Sequence, residues 1–106
     1  MLRTYEYTVI AGADKVISSE DMNTRTFKYH ERNLQVSVEG LGGGTYSVFY
    51  RVPNGSTFIE HVSNATDQDC VVLAGKGSPI ISTLKITFNN TVGNQKILLS
   101  TWERGI

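Results

Sequence analysis

The residues of this chain whose types suit chemistry are two histidines, one cysteine, two glycine clusters, a pair of aspartates and scattered glutamates. The glycines decide whether a phosphate is held. The stretch VEGLGGGTYSVFYRVPNG, Val38 to Gly55, carries five of the ten glycines. A phosphate-cradling loop of the G-x-x-x-x-G-K-[ST] type needs a lysine and a helix opening on its last glycine, so that ammonium and backbone amides meet the anion together. Gly42, Gly43 and Gly44 are followed by Thr45 and an alternating apolar pattern, with neither the lysine nor a helix signal. A dinucleotide-binding turn fails for want of the same helix. The glycines are therefore expected to turn a strand at 33–39 into a second at 45–52, as a hairpin whose tip takes left-handed backbone angles. Gly42 and Gly43 at that tip permit close approach of a neighbouring chain and are candidate contact residues. AGKGSP at 74–79 has a lysine between glycines but no following helix pattern, and Pro79 has no amide to donate.

The remaining chemistry-bearing residues do not assemble into a site. His30 stands beside Glu31 in YHER, and His61 beside Glu60 in FIEHV. Neighbours on a strand point to opposite faces, so Glu60 does not orient His61. Neither histidine has metal-ligand spacing, and one cysteine does not complete a zinc site. Cys70 opens the apolar run in DQDCVVLAG and reads as a buried, inert thiol. Asp67 and Asp69 have the D-x-D spacing of a calcium loop without its turn glycine or closing glutamate. Glu6, Glu39, Glu60 and Glu103 fall in strand-like stretches, and nothing pairs two of them across a cleft as glycoside hydrolysis requires. No G-x-S-x-G marks a serine nucleophile. The expectation is a non-enzyme without metal or cofactor.

The elements that carry these residues read as strands. LQVSVE sets Leu34, Val36 and Val38 on one face, TYSVFYR sets Tyr46, Val48 and Tyr50, and STLKITFN sets Leu84, Ile86 and Phe88. Such alternation, rich in β-branched and aromatic residues, is that of half-buried antiparallel strands. Strands are expected at 3–10, 14–18, 25–30, 33–39, 45–52, 57–62, 69–74, 79–90 and 95–103, separated by turn signals such as GAD, PNG and NNTVGN. Only SSEDMN, Ser18 to Asn23, has helix-start chemistry, for a single turn. The expected architecture is one all-β domain over 1–106, an antiparallel β-sandwich of eight or nine strands with almost no helix, jelly-roll-like or immunoglobulin-like.

Ten basic and ten acidic residues leave a net charge of zero, and no basic run creates a local field, so nucleic acid is not an expected partner. The N-terminus has no apolar signal segment and no run is long enough to span a bilayer, so no membrane partner is expected either. Asn54, Asn64 and Asn89 stand in N-x-[ST] triplets and read as turn chemistry. Among the aromatics, Tyr46, Tyr50 and Phe88 share the core register. Phe49 and Trp102 lie on the opposite register to their apolar neighbours, which makes them candidates for contact with another chain. Arg104, two residues beyond Trp102, is a candidate ion-pair partner across such a contact.

The segments NLQVSVEGLGGGTYSVFYRVPNGSTFIEHV, SPIISTLKITFNN and QKILLSTWERG carry a resemblance. The order of a V-x-V-x-G strand, a glycine turn, a G-T-Y-x-V strand, an N-G turn and an I-T-F strand is similar to small β-sandwich virion proteins of tailed bacteriophages. The resemblance implies a capsid decoration (cement) protein, with a tail or fibre-attachment component as the neighbouring possibility. It further implies a protein made in the host cytoplasm and built into the virion. Expected partners are its own copies, a trimer on a threefold axis, and other virion proteins such as the major capsid protein. A reading of a different class is a non-catalytic carbohydrate-binding module, with a host surface glycan stacked on Trp102, Phe49 or a loop tyrosine.

Overall fold

Alternation along the chain becomes eight strands. They are β1 (Arg3–Val9), β2 (Lys15–Ser18), β3 (Arg32–Glu39), β4 (Thr45–Arg51), β5 (Ile59–Ala65), β6 (Val71–Leu73), β7 (Thr83–Asn89) and β8 (Gln95–Glu103). The computed structural model describes residues 2–18, 32–73 and 80–103. The strands form two four-stranded antiparallel sheets, ordered β1-β8-β3-β6 and β2-β7-β4-β5. No helix occurs among the described residues.

The strand order chooses between the two expected sandwiches. In an immunoglobulin-like fold several consecutive strands pair as hairpins within one sheet. Here only β4 and β5 are both consecutive and paired, and every other connection joins one sheet to the other. That wrapping of two sheets by one chain is a jelly roll.

The inward register is the one expected. Leu34, Val36, Val38, Tyr46, Val48, Leu84, Ile86, Ile97 and Leu99 are fully buried, with Ile17, Ile81, Val71 and Leu73 closing the core. Tyr5, Tyr7, Tyr50, Val62 and Phe88 pack against it from the margins. Each such side chain contributes about 1.5–3 kcal/mol by leaving water, so this interior supplies the main driving force of folding.

The glycine stretch is not a hairpin. β3 pairs with β6 and β8, whereas β4 pairs with β5 and β7, so residues 40–44 cross from sheet to sheet. Alternation fixes which face a residue takes but carries no information about which strand lies alongside. Within the crossover, Gly42 (φ +60°) and Gly43 (φ +89°) are left-handed, and the Gly44 amide donates to the Leu41 carbonyl at 3.0 Å. Leu41 turns inward and plugs the end of the core at 1% exposure. Gly44 is required for a different reason: a Cβ there would lie 2.6 Å from the Asn89 and Asn90 carbonyl oxygens.

Other boundaries moved by a few residues. β6 begins at Val71 rather than 69 because Asp69 is used by a turn: its Oδ2 accepts from the Thr66 amide at 2.8 Å and the Thr66 hydroxyl at 3.0 Å. β5 runs to Ala65 on an irregular ladder with β4, broken at Ser47 and bent where Asn64 takes φ +57°. The expected strand at 25–30, the helical turn Ser18–Asn23 beyond Ser18 (which ends β2) and the loop 74–79 lie outside the described residues.

Candidate interaction surfaces

The interior offers no reaction centre among the described residues. Thr83 and Gln95 are the polar side chains buried there, and no buried side-chain nitrogen or oxygen lacks a hydrogen-bond partner. No group of three histidine, cysteine, aspartate or glutamate side chains stands close enough to hold a metal among the described residues. Outside the core, the described residues form four candidate surfaces.

The first is the end of the sandwich where the β1–β2, β3–β4 and β7–β8 loops meet. Gln95 ties all three together from a position 1% exposed. Its Oε1 accepts from the Gly12 amide at 2.9 Å, and its Nε2 donates to the Gly93 carbonyl at 2.8 Å and, at 3.5 Å, to that of Gly40. Asn94 Oδ1 accepts from the Ala11 amide at 3.3 Å, and Ala11 and Gly12 both take left-handed angles, φ 52° and 71°. A Cβ on Gly42 would sit 3.0 Å from the Val92 Cβ, which places the crossover against the β7–β8 loop. Ile10 and Val92 project from this end, each 71% exposed, the highest among the large apolar residues described. Gly42 and Gly43 lie on this surface. The signal sequence reading missed is Gln95, which looked like the polar start of a strand.

The second surface is the outer face of β2-β7-β4-β5. Phe49 lies here, half-buried, between Lys85 of β7 and Glu60 of β5 in register. The Lys85 ammonium is 5.8 Å from the Phe49 ring centre and 5.5 Å from that of Phe58, and the Arg51 guanidinium is 5.1 Å from Phe58. Arg51 Nη2 also donates to Thr83 Oγ1 at 3.3 Å. Phe58 precedes β5 in a loop, so no strand register pointed to it. Cation and ring satisfy one another here.

The third surface is the outer face of β1-β8-β3-β6. Trp102 differs by three positions from the buried Leu99, so it points away from the core, half-buried at the surface. Rows across this face read Trp102–Asn33, then Thr4–Ser100–Gln35–Val72, then Glu6–Leu98–Ser37, then Thr8–Lys96–Glu39. Lys96 Nζ lies 3.7 Å from Glu39 and 4.0 Å from Glu6, while the Thr4 and Ser100 hydroxyls share a hydrogen bond at 3.0 Å. Phe49 and Trp102 thus belong to opposite faces of the sandwich and do not form one interface. Arg104 lies outside the described residues.

The fourth is a cleft of ≈ 320 Å³ between the edge strands β5 and β6, with His61, Asn64, Asp69 and Cys70 in its wall. Cys70 is exposed, which corrects the expected buried thiol. Val71 and Leu73 take the inward register, leaving Cys70 on the outward one with Val72. Beneath the cleft the Tyr46 hydroxyl donates to the Asp69 carbonyl at 2.9 Å. Burial, followed by the nearby Cys70 and Asp69, pushes the Tyr46 phenol up to about 12. The hydrogen bonds from Thr66 hold the Asp69 carboxyl below its usual range. His61 meets the Tyr50 ring edge-on at 6.3 Å, and Glu60 and Asp67 are exposed. His30 lies outside the described residues.

No protein-family model matches the chain, and no curated protein matches it in sequence. Solved structures share its fold. The IMPa metallopeptidase in complex with T-antigen superposes with a TM-score of 0.54 at 15% identity, covering 97% of this chain and 12% of its own length. The capsular polysaccharide assembling protein CapF from Staphylococcus aureus gives 0.51 at 16% identity, over 95% of this chain and 24% of its own. A de novo designed double-stranded β-helix gives 0.48 at 10% identity, over 94% and 99% of the two chains. At these identities the likeness to the two larger proteins extends to the fold alone, and this chain spans a small part of each.

Proposed function

We propose that this chain is a non-catalytic virion structural protein of the capsid decoration (cement) kind, which stabilises a particle by packing against its own copies and the major capsid protein. The observation that carries the reading is the exposed apolar patch on the loop end, where Asp14 is the charged residue of the β1–β2, β3–β4 and β7–β8 loops. The two most exposed large apolar side chains among the described residues, Ile10 and Val92, project there beside Gly42 and Gly43, on loops held together by Gln95. Near a symmetry axis each side chain meets its own copies, so charge is disfavoured and small or apolar residues are favoured. A trimer about a threefold axis meets that condition, and the zero net charge of the chain adds no long-range repulsion between copies.

A tail or fibre-attachment component would use the same end for a different partner. Quantitative mass spectrometry of purified particles separates the two. A decoration protein occurs at a copy number comparable to that of the major capsid protein, and a tail part at a small fraction of it. Absence from purified particles would overturn the virion reading altogether.

A further inference from the structure

We infer that the Trp102 end of the outer β1-β8-β3-β6 face is a binding platform for an uncharged glycan. Two features of the face carry this. Charge is segregated along it: Glu6, Lys96 and Glu39 occupy the far rows, with Lys96 between the two carboxylates. Among the described residues, the rows nearest the indole hold Asn33, Thr4, Ser100, Gln35 and Val72, without a charged side chain. The donor and acceptor set is also the one a sugar needs. A pyranose presents an apolar C–H face and a rim of hydroxyls. An indole receives the first, while amides and hydroxyls, each able both to donate and to accept, receive the second.

Gln35 is the informative member. It is half-buried, one row from Trp102 between Ser100 and Val72, and its amide has no hydrogen-bond partner among the described residues. Trp102 likewise has no cation or ring against it among the described residues. Phe49, on the opposite face, has its ring occupied by Lys85 and is not free for stacking. Among the described residues of this face the cation an acidic glycan would meet is Lys96, already held between two carboxylates. The site is independent of the loop end through which copies are proposed to pack.

Trp102 is the only tryptophan, so its emission reports occupancy directly. The full chain would be titrated with cellotetraose, maltotetraose and chitotetraose, and with tetragalacturonate as the acidic counterpart. The expected result is a saturable shift in emission with at least one neutral oligosaccharide, insensitive to salt. Gln35→Ala, with an unchanged far-ultraviolet spectrum, should weaken that binding by about threefold to tenfold. Trp102→Phe, followed by calorimetry, should weaken it further. Three results would overturn the inference: no shift with any neutral member at millimolar concentration, binding of tetragalacturonate alone, or Gln35→Ala binding as tightly as the parent.

Discussion

Gln95 shows how much one polar side chain can organise when every atom of it is used. Its amide oxygen and nitrogen satisfy backbone groups on two loops, with a third at longer range, and it is shielded from water. Gln95→Ala leaves the Gly12 amide and Gly93 carbonyl without these partners and opens a void below the loop end. The expected cost is about 2–4 kcal/mol, read as a lower urea midpoint at unchanged slope. Tyr46 makes a second prediction at this scale. Its folded-state value of about 12 lies above the 10.0 of a free phenol. The folded form therefore holds its proton where the unfolded form gives it up. That contribution is complete below pH 10 and is lost as pH rises from 10 towards 12. Denaturation of the parent and of Tyr46→Phe across this range should show the parent's stability advantage shrinking as pH rises. A constant difference would mean that the phenol titrates normally.

At the scale of elements, the glycine crossover supplies a comparison between neighbours. Gly43 has a left-handed φ of +89° with nothing near its would-be Cβ, whereas Gly44 faces two carbonyl oxygens at 2.6 Å. Gly43→Ala should cost only the left-handed penalty, about 1–2 kcal/mol. Gly44→Ala must displace the β7–β8 loop backbone and should cost more. Thermal melts of the two variants would show the larger depression for Gly44→Ala if the crossover packs as described. Strand positions and faces were largely legible in the sequence, because burial follows the period-two register: Leu34, Val36 and Val38 in, Trp102 out. Pairing was not legible. An alternating strand is equally content beside any other, so the 40–44 turn looked like a hairpin until the partners of β3 and β4 were known. Cys70 was misread because an apolar run suggests burial, while its register, one residue before Val71, places it outside. The Lys85–Phe58 contact was invisible for a similar reason, since it joins a strand to a loop distant in sequence.

For the whole molecule, the division of labour is between a closed interior and a varied exterior. Among the described residues the core is filled by apolar side chains and its polar members are hydrogen-bonded, which leaves the loop end, the two outer faces and the lateral cleft as candidate binding surfaces. The wrapped topology ties the two sheets together, since each loop at the Ile10 end joins strands of both. We propose that copies associate through that end. Val92→Asp tests it most directly, because Val92 is 71% exposed and the substitution should leave the isolated fold intact. Sedimentation velocity over a concentration series should show the parent associating, with a trimer as the expected limit, and Val92→Asp remaining monomeric with an unchanged melting temperature. A parent that stays monomeric throughout, or a variant that associates as well as the parent, would contradict the account.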